Sequence, residues 1–79
     1  MITSSQIKAA RAMTGLTVRA FAEMAGIAFS TMVRLESAGN EIPGGNVETL
    51  KKLKKAFEKA GVEFIGTPES GAGVRWRPH

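Results

Sequence analysis

Leu16-Thr17-Val18-Arg19-Ala20-Phe21-Ala22-Glu23-Met24-Ala25-Gly26-Ile27-Ala28-Phe29-Ser30-Thr31-Met32-Val33-Arg34-Leu35-Glu36 is the stretch on which the reading of this chain turns. Thr17 has the hydroxyl of a good N-cap, and Leu16 before it and Phe21 after it are spaced as a hydrophobic staple. Phe21, Ala22 and Ala25 then define one face of a short helix that stops at Gly26. A second short helix runs from about Ala28 to Ser37, with Met32 and Leu35 as its apolar side, Ile27 in the turn before it and Gly39-Asn40 ending it. The junction Ala25-Gly26-Ile27 meets the demands of a tight turn between helices. Alanine leaves room where the two helices approach, glycine takes the positive φ that other residues resist, and isoleucine plugs the core. This predicts a helix-turn-helix, with its second helix held at a steep angle and projecting from the body.

Upstream, Thr3 and Gln6 have the spacing of a capping box, and Ile7, Ala10, Met13 and Leu16 recur at helical intervals. A first helix is therefore predicted from about Ser4 to Thr14, closed by Gly15. Downstream, Asn40 to Gly45 reads as a loop, with Pro43 and two glycines. Asn46 can cap a further helix whose apolar residues Val47, Leu50, Leu53, Phe57 and Ala60 recur every three or four positions. Lys51, Lys52, Lys54, Lys55 and Lys59 fall largely on its remaining surface, and Gly61 stops it. The period then changes. Val62-Glu63-Phe64-Ile65 is rich in β-formers and Val74-Arg75-Trp76-Arg77 alternates, with the turn-rich segment Gly66 to Gly73 between them.

The expected fold is thus mainly α: a compact helix-turn-helix domain of four or five helices over residues 1–60, followed by a C-terminal β-hairpin or β-arm over residues 61–79. An isolated pair of strands is marginal in water, so the tail needs the helical body or a second subunit. Whether its strands pair within one chain or between two stays open. As a dimerisation element it would act through Val62, Phe64, Val74 and Trp76.

Seventy-nine residues bound the chain to one small domain, marginal alone, for which oligomerisation is a reasonable expectation. Cysteine is absent, which removes disulfides, thiolate metal sites and cysteine nucleophiles together. The one histidine is His79, the final residue. No paired acid-base residues, phosphate-binding glycine loop or metal spacing is present, so no enzyme, catalytic residue, metal or cofactor is expected. Eleven Lys and Arg against seven acidic residues give a net charge of +4, with a pI near 10.0. Such a charge attracts polyanions, although many soluble proteins are equally basic. There is no bilayer-spanning apolar run, and no basic patch followed by an apolar stretch at the N-terminus, so the expected location is the cytoplasm, away from membranes.

From Leu16 to Glu36, and more loosely from Ser4 to Ala60, the sequence resembles the Cro/C1-type, or Xre-family, helix-turn-helix transcriptional regulators of bacteria and their phages. The resemblance rests on Leu16-Thr17, Phe21-Ala22, Ala25-Gly26-Ile27, Thr31-Met32 and Arg34-Leu35-Glu36. The tail, Gly61 to Ile65 and Gly73 to Arg77, is similar to that of a short bacterial subgroup whose last helix is followed by two strands. The likeness implies a homodimer on double-stranded DNA, each recognition helix entering the major groove of one half of a palindromic operator. It also implies a DNA-binding set of Thr17, Arg19, Phe29, Ser30, Thr31, Val33 and Arg34. Thr17 would set a helix N-terminus against a phosphate, and Arg34 would grip a guanine or a phosphate. Ser30 and Thr31 would donate to a phosphate or base edge, and Phe29 or Val33 would touch a thymine methyl.

The chain departs from the family pattern at two positions. Val18 stands where many members carry a glutamine that contacts the DNA backbone, and Ala28 where a serine would cap the recognition helix. That helix therefore offers few hydrogen-bonding side chains, which motivates an alternative function: a protein-interaction module, antiactivator- or antitoxin-like, that docks Phe29 and Val33 on another transcription factor. Other readings stay open too. Arg34 could pair with Glu36 or with a carboxylate of the preceding helix, Glu36 reads as structural, and Lys51 or Lys52 could meet phosphate. Phe64 and Trp76 could pack on the body or on a partner, and Arg75 and Arg77 beside Trp76 could form a nucleic-acid stacking platform.

Overall fold

The computed structural model describes residues 2–39, 41 and 43–78; Asn40, read above as part of a helix stop, and His79 lie outside them. Four helices and two strands follow one another: α1 (Ser4–Thr14), α2 (Val18–Ala25), α3 (Phe29–Leu35), α4 (Val47–Ala60), β1 (Val62–Ile65) and β2 (Gly73–Trp76). No fifth helix is present among the described residues, and none of the described helices is long and apolar enough to cross a membrane.

Three of the four helices, α1, α2 and α4, begin and end where local chemistry dictates. Thr3 accepts from the Gln6 amide at 3.1 Å while the Gln6 side chain accepts from the Thr3 amide at 2.9 Å, a complete capping box. Thr17 caps α2 by accepting from Ala20 at 3.1 Å, and Asn46 caps α4 by accepting from Thr49 at 2.8 Å. Ala28, the N-cap of α3, supplies no side-chain bond, and α3 is shorter than the Ala28–Ser37 span expected, with Glu36 as its C-cap. Gly26 sits at φ 72°, ψ 33°, and its amide bonds back to α2, so the chain leaves α2 through the left-handed region and Ile27 drops into the core.

The core draws on every element except β2. Ile7, Phe21, Met32, Leu35, Leu53 and Phe57 are fully buried. Phe21 of α2 stacks on Phe57 of α4 with ring centroids 4.5 Å apart, and Phe57 meets Phe64 of β1 edge-on at 5.4 Å. Three aromatic rings thus run from the helix-turn-helix through α4 to the hairpin. The α4 face differs from the expected one at two positions. Val47, in the first turn, is 65% exposed, while Ala56, overlooked among the lysines, is buried.

The strands pair antiparallel within the chain, Val62 opposite Trp76 and Phe64 opposite Val74, so these four side chains share one face. The opposite face carries the Glu63–Arg75 pair, at 3.2 Å. Gly66 opens the connecting turn at φ +76°, where an added Cβ would lie 2.3 Å from the Gly71 carbonyl oxygen; only glycine fits. The hairpin packs on α1 and α4, and Gln6 fastens it there. The Gln6 amide nitrogen donates to the carbonyls of Ile65 (3.2 Å) and Gly73 (2.9 Å), the last residue of β1 and the first of β2. Gln6→Glu keeps the capping acceptor but removes both donors and turns a carboxylate toward two carbonyls. It is expected to cost about 2–4 kcal/mol, read as a lowered urea midpoint, with the earliest loss of amide-exchange protection in β1 and β2. Equal loss across all elements at unchanged midpoint would contradict this role.

Candidate functional site

The side of α3 that faces away from the core is open. Met32 and Leu35 are fully buried, whereas Phe29 is 41% and Val33 43% exposed, and Ser30 and Arg34 are also exposed. Thr31 is half-buried at the edge of this face. Alternation at helical spacing accounts for the split, since the residues at 32 and 35 point one way and those at 29, 30, 33 and 34 the other.

What makes this face rigid is the set of contacts around the ends of α3. The Ser4 hydroxyl donates to the Leu35 carbonyl at 2.5 Å. The amides of Ser4 and Ser5, among those with no partner inside α1, donate to the carbonyls of Glu41 (3.0 Å) and Gly39 (2.8 Å) in the loop beyond α3. Arg11 adds a second clamp. Its Nε and Nη2 donate to the two carboxylate oxygens of Glu36 at 2.7 and 3.0 Å, and its Nη1 donates to the Leu16 carbonyl at 2.9 Å. One guanidinium thereby joins α1, the link into α2 and the end of α3. Both side chains are largely buried, 16% and 7% exposed, which favours a forked, hydrogen-bonded pair over two separate buried charges. The hydrogen bond to Glu36 holds the Arg11 guanidinium above its ordinary pKa, against the opposing effect of burial, and the carboxylate's charge reinforces it.

Arg34 pairs with neither Glu36 nor a carboxylate of α2. Its Nη1 donates to the carbonyl of Gly44 in the loop before α4, which lays the guanidinium along that loop and leaves its other N–H groups for further partners. Arg19, from the first turn of α2, stands 4.1 Å above the ring of Phe29, joining two of the sequence-predicted residues in one cation–π contact. Thr17 is exposed at the start of α2 with its capping bond made. Phe29, Ser30, Val33 and Arg34 thus share one open face, with Arg19 beside Phe29 and Thr31 at the margin. Lys52 reaches the Gly26 carbonyl at 3.4 Å, at the C-terminal end of α2 where a cation is favoured.

The four tail residues divide. Val62 is 2% exposed and belongs to the core, so it has no surface left for a second subunit. Phe64 and Val74 are half-buried against the helical body. Trp76 is 55% exposed beside Gly61. Sequence reasoning missed the bonds of Gln6 to the hairpin, of Arg11 to Glu36 and of Arg34 to the Gly44 carbonyl, because these partners lie 10 to 67 residues apart and leave no periodic trace. Among the described residues no cluster of His, Asp or Glu suited to a metal ion is present. No protein-family model matches the chain, and no curated protein is significantly similar to it.

Proposed function

We propose that this chain is a DNA-binding transcriptional regulator that acts in the cytoplasm as a homodimer on a palindromic operator, without catalytic activity or cofactor. The observation that carries the reading is α3, whose inner side is wholly buried while its outer side is open and held by bonds at its C-terminal end. A helix presented this way meets the major groove without reorganising, and the net charge of +4 supplies salt-sensitive attraction to phosphate. In this reading Arg34 and Ser30 contact base edges or phosphate, and Phe29 and Val33 supply apolar contact to thymine methyls. Thr17 and the first turn of α2 approach a phosphate. Trp76 and the exposed margin of the hairpin form the subunit contact.

A gel-shift series on duplexes enriched from a random pool tests this. Arg34→Ala is expected to weaken the selected site by about 1–3 kcal/mol, roughly five- to 150-fold, with little change in thermal stability. Unchanged affinity would remove Arg34 from the interface. A second reading, docking on another transcription factor, is favoured by one observation: two large apolar side chains of α3, Phe29 and Val33, are exposed. The same gel shift separates the two, since an interaction module shows no preference among duplexes at physiological salt.

A further inference from the structure

A second feature lies away from the outer face of α3. The end of α2 and the C-terminal part of α4 leave between them a groove enclosing about 300 Å³. Its floor is apolar, made by Met24 and Ala25 of α2 and by Ala56 and Ala60 of α4. Along α4 it is edged by Lys52, Lys55 and Lys59, and no carboxylate lines it. Met24 is 53% exposed at its mouth, more than either exposed apolar residue of α3, Phe29 or Val33. The helical spacing explains the layout. Residues 52, 56 and 60 follow one ridge of α4 and 55 and 59 the next, so small side chains form a trough with ammonium groups beside it.

We propose that this groove docks an acidic amphipathic helix of a partner protein, with one or two large apolar side chains seated on Met24, Ala56 and Ala60 and Asp or Glu residues meeting the three lysines. Charge and shape select this occupant. A flexible thioether over two alanines accepts varied apolar side chains, and three ammonium groups without a compensating carboxylate in the groove attract an acidic segment and repel a basic one. A second copy of the chain is a poor occupant. Among its helices α1 and α3 contain no carboxylate, α2 contains only Glu23, and α4 contributes Glu48 and Glu58 beside its five lysines. Nucleic acid would use the lysines and leave the apolar floor without a role. The proposal is independent of the DNA reading, because no outer residue of α3 lines the groove.

The test uses the full chain and a fluorescein-labelled 16-residue helical peptide with Leu and Phe on one side and Glu on the flanks. A twin with Lys in place of Glu is the control. Fluorescence anisotropy is expected to show binding of the acidic peptide that weakens with salt, and no binding of the twin. Amide shifts in the ¹⁵N spectrum are expected to gather on Met24, Ala25, Ala56 and Ala60. Lys52→Glu/Lys55→Glu/Lys59→Glu is expected to weaken binding about tenfold or more, while the charge-matched Lys8→Glu/Lys54→Glu/Arg77→Glu retains at least half of it, and Arg34→Ala binds as the parent does. Absence of binding by the parent, equal binding of both peptides, or shifts centred on Phe29 and Val33 would each overturn the proposal. Loss of DNA binding in the first triple variant, with no peptide bound by the parent, would reassign the lysines to phosphate.

Discussion

Phe57→Ala is expected to leave most of the protein unfolded at room temperature. The Phe57 ring is fully buried, stacked on Phe21 at 4.5 Å and met edge-on by Phe64 at 5.4 Å. Removing it creates a void bounded by α2, α4 and β1, three elements that cannot all move inward at once. A phenylalanine truncated in such a place costs about 3–5 kcal/mol. A domain of this size commonly holds only about 3–5 kcal/mol in total, so the change consumes nearly all of it. Urea denaturation followed by circular dichroism measures it, and Phe64→Ala is the comparison. Phe64 is only half-buried, so its loss is expected to cost clearly less and to leave the helical signal in place. A Phe57→Ala variant with a midpoint close to that of the parent would show that the three rings do not bind the halves of the molecule together.

Glu36→Ala is the second large effect, and it reaches the proposed function through geometry. Without the carboxylate, Arg11 is left largely buried with the Leu16 carbonyl as its remaining partner. Stranding one member of a fully buried pair costs about 3–5 kcal/mol; with Arg11 retaining some access to water, about 2–4 kcal/mol is expected. Because the pair fixes the end of α3 to α1, the loss is also expected to loosen α3, so that DNA affinity falls even under conditions where the variant is still folded. Arg11→Met/Glu36→Leu separates the two contributions. Replacing both charges with apolar side chains is expected to restore most of the stability. If the double variant is as unstable as Glu36→Ala, the loss comes from the position rather than from the stranded charge.

What the sequence made legible follows the range of the interaction behind each feature. Thr3, Thr17 and Asn46 act on amides three residues away, and Gly15, Gly26 and Gly61 on their own backbone angles, so the ends of α1, α2 and α4 could be written from local pattern alone. The inward sides of α2 and α3 followed from spacing for the same reason. The start of α3 was placed early and its end late, because Ala28 gives no side-chain bond there and the helix ends at Leu35 with Glu36 as its cap. Glu36 bonds within the fold, as read, yet its partner Arg11 lies 25 residues upstream and nothing in the spacing nominates it. Arg34 showed as exposed and basic, but its bond to a loop carbonyl depends on where Gly44 comes to rest. Of the tail residues, all four lie on one face of the hairpin; only packing on α1 and α4 decides that Val62 is covered and Trp76 is not. The groove between α2 and α4 had no sequence signature, since its floor is made of Met24 and three alanines drawn from two separate helices.

The bridge from Gln6 to Ile65 and Gly73 orders events in time. It joins positions 59 and 67 residues apart, the widest loops closed by any side-chain bond described above, and wide loops close late because their entropy is lost before their contacts form. In refolding from denaturant, the four helices can form and assemble before the second strand docks. The refolding chain would therefore set α3 in place ahead of the seam that fastens the hairpin, and a chain truncated before residue 73 would leave that flank of α1 open to added protease.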